Sequence, residues 1–178
     1  MVLKITYFVH GTTVDNEQKL ASGQADAKLS KLGIEQSKQL KGQVNQKFDA
    51  MFCSDLSRSI DTAKLAFEGT AQIIIDKRLR EVNYGDFTQK KKDWDILDYI
   101  SQYYPKGESY TDVETRIRDF LSDMISKYDG KHIAIVAHQD PQLALDVITK
   151  NQTWQQAIAN DWRKIKAWKP GWEYTYTE

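Results

Sequence analysis

The strongest constraint on this chain is an alternation. Four short runs rich in β-branched and aromatic residues, "VLKITYFV" (2–9), "FDAMFCS" (48–54), "AQIIID" (71–76) and "HIAIVAH" (132–138), take turns with segments whose apolar residues recur every three to four positions. Runs of this kind read as buried strands, and the longer period reads as amphipathic helix. Strands separated by helices pair in parallel and carry helices on both faces. The expected fold is α/β, a three-layer α/β/α sandwich around a mostly parallel central sheet.

The helical segments have local start and stop signals. Ser30 can cap a helix running to about residue 46, with Leu32, Leu40 and Val44 on one side. Ser54 or Asp55 can cap a second helix that places Leu56, Ile60, Ala63 and Phe67 on a common stripe. From Thr111 a third helix aligns Val113, Ile117, Phe120, Leu121, Met124 and Ile125, and a fourth starts near Pro141. The tail "WEYTYT" reads as an edge strand. Residues 77–110 have weak periodicity and look like an insertion between core elements, expected to cover the site. The polar stretch "NEQKLASGQADAK" is too long for a simple turn, and such loops often carry function.

With 178 residues the chain is expected to form one domain, 1–178. Lys plus Arg and Asp plus Glu are balanced at 25 each, so charge points to neither a nucleic acid nor a membrane surface as partner. The N-terminus lacks the h-region and cleavage site of a signal peptide, and its apolar run is far below the roughly 18 residues a bilayer requires. A single cysteine, Cys53, forms no internal disulfide. A cytoplasmic location is the expectation.

In open α/β sheets, ligands sit off the carboxyl ends of the strands. His10 follows the first strand, Ser54 and Arg58 follow the second, and His138 ends the strand before Pro141. Arg58 also falls in the first turn of its helix, where exposed N–H groups and the dipole favour an anion. Two imidazoles, a guanidinium and helix N-termini on one rim suit phosphate.

At these residues the sequence resembles the histidine phosphatase superfamily, also called phosphoglycerate mutase-like. The family's Arg-His-Gly-x-Thr-x-x-Asn reads here "VHGTTVDN" (9–16), and its Ser-Asp-Leu-x-Arg-x-x-x-Thr-Ala reads "SDLSRSIDTA" (54–63). "LREVNYGDF" is similar to its Leu-x-Glu segment, "GESYTDVETR" to its Gly-Glu-Ser helix start, and "IAIVAH" to its last histidine strand. The five elements come in the family's order and span residues 7–138.

The resemblance implies a phosphatase that hydrolyses a small phosphomonoester. His10 would attack phosphorus and carry a phosphohistidine. To do so it must be neutral, with its other nitrogen held by a backbone carbonyl near Gly11, which would let the chain turn tightly. Glu81 would protonate the leaving alcohol and deprotonate the attacking water. Arg58 and His138 would meet the phosphoryl charge, with Gly11 and Asn16 in the phosphate site and the backbone of Gly23 against substrate. The partner would be a small phosphorylated metabolite, and neither cofactor nor metal is called for. The short segment after the last motif favours a phosphatase over a mutase.

The sequence departs from the pattern at one rim. Val9 stands where the family has an arginine, Thr12 where it has a glutamate, and Gln139-Asp140 where it has Gly-Gly. One lost charge-assisted hydrogen bond is worth roughly 1.5–3 kcal/mol. The alternative reading is therefore a catalytically impaired phosphate- or nucleotide-binding module of the same fold. On this view Asp140 brings a negative charge to the anion site, while the backbone N–H groups there survive.

Two other chemistries fail on spacing. Cys53 and Arg58 are Cys-x4-Arg, one residue short of the Cys-x5-Arg phosphate loop. His132 and His138 would stand about 20 Å apart along a strand, too far to share a metal. His132 is assigned a structural role.

Overall fold

The computed structural model describes residues 1–70 and 72–178. Strands β1 (Val2–Val9), β2 (Ala50–Cys53), β3 (Ile73–Ile75), β4 (His132–Ala137) and β5 (Trp172–Thr177) form one sheet in the order β3-β2-β4-β1-β5. The first four are parallel, and β5 closes the β1 edge antiparallel. Parallel strands cannot be joined by tight turns, so the chain crosses back each time through a helix. The helices are α1 (Val14–Glu17), α2 (Lys31–Gln43), α3 (Ser57–Phe67), α4 (Tyr110–Lys127), α5 (Gln139–Lys150) and α6 (Trp154–Ala159). Among the described residues no helix is long and apolar enough to cross a membrane.

Strand residues alternate between two cores. Phe8, Met51, Cys53, Ala134 and Val136 face α2 and α3, meeting Leu40, Ala63, Ala66 and Phe67. Leu3, Ile5, Tyr7, Phe52, Ile133 and Ile135 face the other way, against Phe120, Leu121 and Leu143 of α4 and α5. Each buried Val, Leu, Ile, Met or Phe among them contributes roughly 1.5–3 kcal/mol by leaving water. Helices on both faces make the expected three-layer sandwich.

Several local expectations need correction. Leu32 is 54 % exposed, and the buried face of α2 is Gly33, Ser37 and Leu40. The reason is a close approach: a Cβ on Gly33 would run into the carbonyl oxygen of Thr12. The helix therefore rolls to put its glycine, not Leu32, against the chain after β1. Gly33→Ala is accordingly expected to destabilise the protein by about 1–3 kcal/mol, read as a lower urea midpoint. An unchanged midpoint would contradict this packing.

Helix α2 also ends at Gln43 instead of near 46, and β2 is shorter than 48–54. Helix α3 begins after Leu56 with no side-chain cap, because Ser54 bonds His138 and Asp55 bonds Arg80. Helix α4 starts at Tyr110, capped reciprocally by Ser109 and Asp112, and α5 starts at Gln139 with His138 as its cap. Of the predicted third strand, Ala71 lies outside the described residues. Helix α6 had no counterpart in the reading of the sequence.

Residues 77–110 are not a loose appendage. They form three short 3-10 turns, Lys77–Leu79, Gly85–Phe87 and Ile96–Tyr99, and bury Leu79, Val82, Tyr84, Tyr104 and Tyr110 in the α4/α5 core. From this segment Glu81, Tyr84 and Lys92 line a cavity with His10 at the carboxyl edge of the sheet.

Candidate active site

The register of β1 and β4 decides the centre of the site. Val9 lies level with Ala137, so the next residues, His10 and His138, leave the sheet side by side. Their rings are 5.0 Å apart between centroids, and the His10 N–H donates to the Ala137 carbonyl at 3.0 Å.

The His10 ring is fixed through Nδ1, which lies 2.8 Å from the Gly11 carbonyl oxygen. A carbonyl only accepts, so Nδ1 carries the hydrogen and Nε2 carries the lone pair. Burial and the nearby Arg58 charge lower the His10 pKa to about 4. At neutral pH the ring is a free base with one defined nucleophilic nitrogen.

His138 is fully buried. Its Nε2 lies 2.6 Å from Ser54 Oγ, while Tyr7 clamps its backbone, donating to its carbonyl and accepting from its N–H. Ser54 Oγ accepts the Leu56 N–H, and its own hydrogen has no acceptor but Nε2 among the described residues, so the hydroxyl is taken as the donor to the ring. This assignment leaves the remaining ring hydrogen on Nδ1, which is buried and has no partner. Burial first, then Arg58, drives the His138 pKa well below the usual imidazole range. A neutral ring with one unspent donor is suited to an anionic oxygen.

Arg58 is 1 % exposed, in the first turn of α3. Two of its N–H groups donate to the carbonyls of Ala25 at 2.9 Å and Gly23 at 2.6 Å. A guanidinium has five, so donors remain to face the cavity. Gly23 has φ +52, and a Cβ there would meet Tyr84, so this loop position requires glycine.

Glu81 is held by the start of α5. Its Oε1 accepts the Asp140 N–H at 3.0 Å and its Oε2 the Gln139 N–H at 3.3 Å. Burial alone would raise its pKa, but the bonds from Asp140 and the Arg58 charge outweigh burial, and the net direction is down. The backbone groups expected to be free for an anion thus already hold Glu81. Asp140 is not a rim charge either, since it is completely buried.

His10, Asn16, Gly23, Arg58 and Glu81 meet around one cavity of about 280 Å³. Asn16 Oδ1 accepts the Thr13 N–H, which leaves its amide NH2 for donation. Gly11 is placed otherwise than expected. Its N–H is taken by Thr62, it has no positive φ, and a Cβ would strike the Gly33 carbonyl. It lines a second cavity, of about 360 Å³, on the side of His10 where Val9, Gln36, Trp162 and Trp168 lie. Close approach to α2, not a tight turn, is what glycine allows there.

The first cavity also has residues that the sequence did not flag. Lys19 and Lys92 line it, and Lys92 Nζ lies 3.3 Å from the Tyr84 hydroxyl. Both lysines sit in polar stretches without a pattern to single them out. Among the described residues no three His, Cys, Asp or Glu side chains come together as a metal site.

The family model for the histidine phosphatase superfamily (branch 1) matches residues 7–145. A relative from Hydrogenobacter thermophilus, named "Putative phosphoserine phosphatase 2", is 30 % identical over 152 residues, covering 76 % of this chain and 73 % of that one. Among solved structures, the alpha-ribazole phosphatase from Shigella flexneri superposes with a TM-score of 0.74 at 25 % identity, over 89 % of this chain and 84 % of the other. A mycobacterial glucosyl-3-phosphoglycerate phosphatase complexed with VO3 gives 0.73 at 26 % identity, over 88 % and 86 %.

Proposed function

The chain belongs to the histidine phosphatase superfamily, and we propose that it hydrolyses a small phosphomonoester through a phosphohistidine on His10. The observation that carries this reading is the His10 ring, locked by the Gly11 carbonyl and kept unprotonated at neutral pH. In this reading Nε2 attacks phosphorus as the bond to the leaving oxygen breaks, with Arg58, the His138 Nδ1–H and the Asn16 amide meeting the charge on the transferring group. Glu81 serves the leaving oxygen, then takes a proton from the water that cleaves the N–P bond. The cavity volume suits a metabolite of modest size, and Lys19 and Lys92 supply cations at its wall. A cytoplasmic setting belongs to the same reading, and the buried, free Cys53 fits it.

Purified protein, dialysed against EDTA, should hydrolyse an aryl phosphate, and acid-labile phosphate should be trapped on His10 after a rapid alkaline quench. Turnover without such an intermediate would overturn the proposed route.

Val9 tests how the anion is balanced. Its side chain lines the second cavity with Trp162 and Trp168 while Arg58 lines the first, and His10 borders both. Val9→Arg would bring a forked donor beside the phosphoryl site, and vanadate should bind on the order of tenfold tighter. Unchanged affinity would mean that Lys19 and Lys92 already balance the dianion.

A further inference from the structure

Asp140 is the second residue of α5, completely buried, and bonded to no cation. Its Oδ2 accepts from the Tyr84 hydroxyl at 3.3 Å, and its Oδ1 has no partner. Its own N–H holds Glu81, and the two carboxyls lie within hydrogen-bonding reach of each other, Asp140 wholly buried and Glu81 opening on the cavity. The groups facing Asp140 are Glu81, Tyr84 and Tyr104 from the 77–110 segment and Tyr110 from α4, with the charges of Lys92 and Arg163 farther out.

Two carboxylates this close, one of them wholly out of water, share a proton in the resting state. Glu81 has two backbone donors at a helix N-terminus, whereas Asp140 has only a neutral phenol. The proton therefore rests on Asp140, whose pKa burial and then Glu81 push far up. This creates a difficulty for Glu81, because an ionised carboxylate has no proton to give to a leaving oxygen.

We propose that Asp140 is a positioning residue that stores the proton Glu81 delivers, the two carboxyls working as a pair. The proposal rests on the phosphatase reading of the same site. At rest the pair carries one proton. It passes from Asp140 to Glu81 and on to the leaving oxygen as the P–O bond breaks and the His10–P bond forms. The pair is then doubly ionised, and repulsion makes Glu81 a stronger base. It takes a proton from the attacking water as the N–P bond breaks, and Asp140 receives that proton back. The alcohol leaves with one proton and the water returns one, so the cycle balances.

Asp140→Asn keeps the shape and the Tyr84 contact but removes the mobile proton. Against an alkyl phosphomonoester, whose leaving group needs protonation, kcat/KM should fall on the order of 10²-fold. Against an aryl phosphate with an acidic leaving group the loss should be less than tenfold, and the basic limb of the pH profile should move to lower pH. Equal losses on both esters, or an unmoved basic limb, would overturn the pairing. A second measurement needs only the unaltered protein: infrared spectroscopy at neutral pH should show the C=O stretch of a buried protonated carboxyl, and its absence would also overturn the proposal. If the unaltered protein turns over neither ester, it is the phosphatase reading that falls, and this proposal with it.

Discussion

His10→Ala is expected to lower turnover of an aryl phosphate on the order of 10⁴-fold or more, since a nucleophile has no substitute in its own site. The expectation follows from how little freedom the ring has. Nδ1 is tied to the Gly11 carbonyl, the backbone N–H is tied to Ala137, and the only ring nitrogen left to react is Nε2. The variant should still fold, because the ring makes just one side-chain hydrogen bond and that one is to a neighbouring residue. Vanadate titration would show whether the cavity survives. The same residue sets a pH dependence. With its pKa lowered to about 4, His10 stays a free base down to that region, so the acidic limb of kcat/KM should lie near pH 4 and not near the usual imidazole value of about 6.5. Full activity in the alanine variant would end the phosphohistidine mechanism, and loss of activity in EDTA would end the metal-free one.

Arg58→Ala is expected to weaken vanadate binding by about 10- to 100-fold, the equivalent of one charge-assisted hydrogen bond. The change also strands two carbonyls, those of Gly23 and Ala25, which now accept from the guanidinium. Each orphaned acceptor costs about 1–3 kcal/mol, so a lower urea midpoint should accompany the weaker binding. Arg58→Lys separates the two effects, keeping a charge near the anion while giving up the fork that spans both carbonyls. Arg80 is the control. It is spent on Asp55, at 2.7 and 2.6 Å, and does not line the cavity. Its alanine variant should bind vanadate within about threefold of the parent, an effect of the size a surface ion pair supports. Equal losses at Arg58 and Arg80 would put the anion somewhere else.

What the sequence determined by itself was whatever depends on neighbours along the chain. Strand and helix periods and the Ser30 cap are of this kind, because side-chain direction and capping are settled within one or two turns. The meeting of His10, Arg58 and His138 was also legible, since a parallel sheet sends every strand's carboxyl end to the same edge. Glu81, Asn16 and Gly23 could be named only through the family resemblance. Only the tertiary structure decided the rest. Leu32 turns outward because Gly33 must meet Thr12, a contact between segments about twenty residues apart. Gly11 belongs to the second cavity because α2 lies against it. Ser54 serves His138 instead of capping α3, and Lys92 reaches the first cavity from a segment with no readable period. Above all, the sequence suggested a charged Asp140 at the rim, and the fold buries it beside Glu81, where loss of water and the neighbouring carboxylate push its pKa up. Whether a carboxyl is charged depends on the water and the charges around it, and the folded chain alone brings those together.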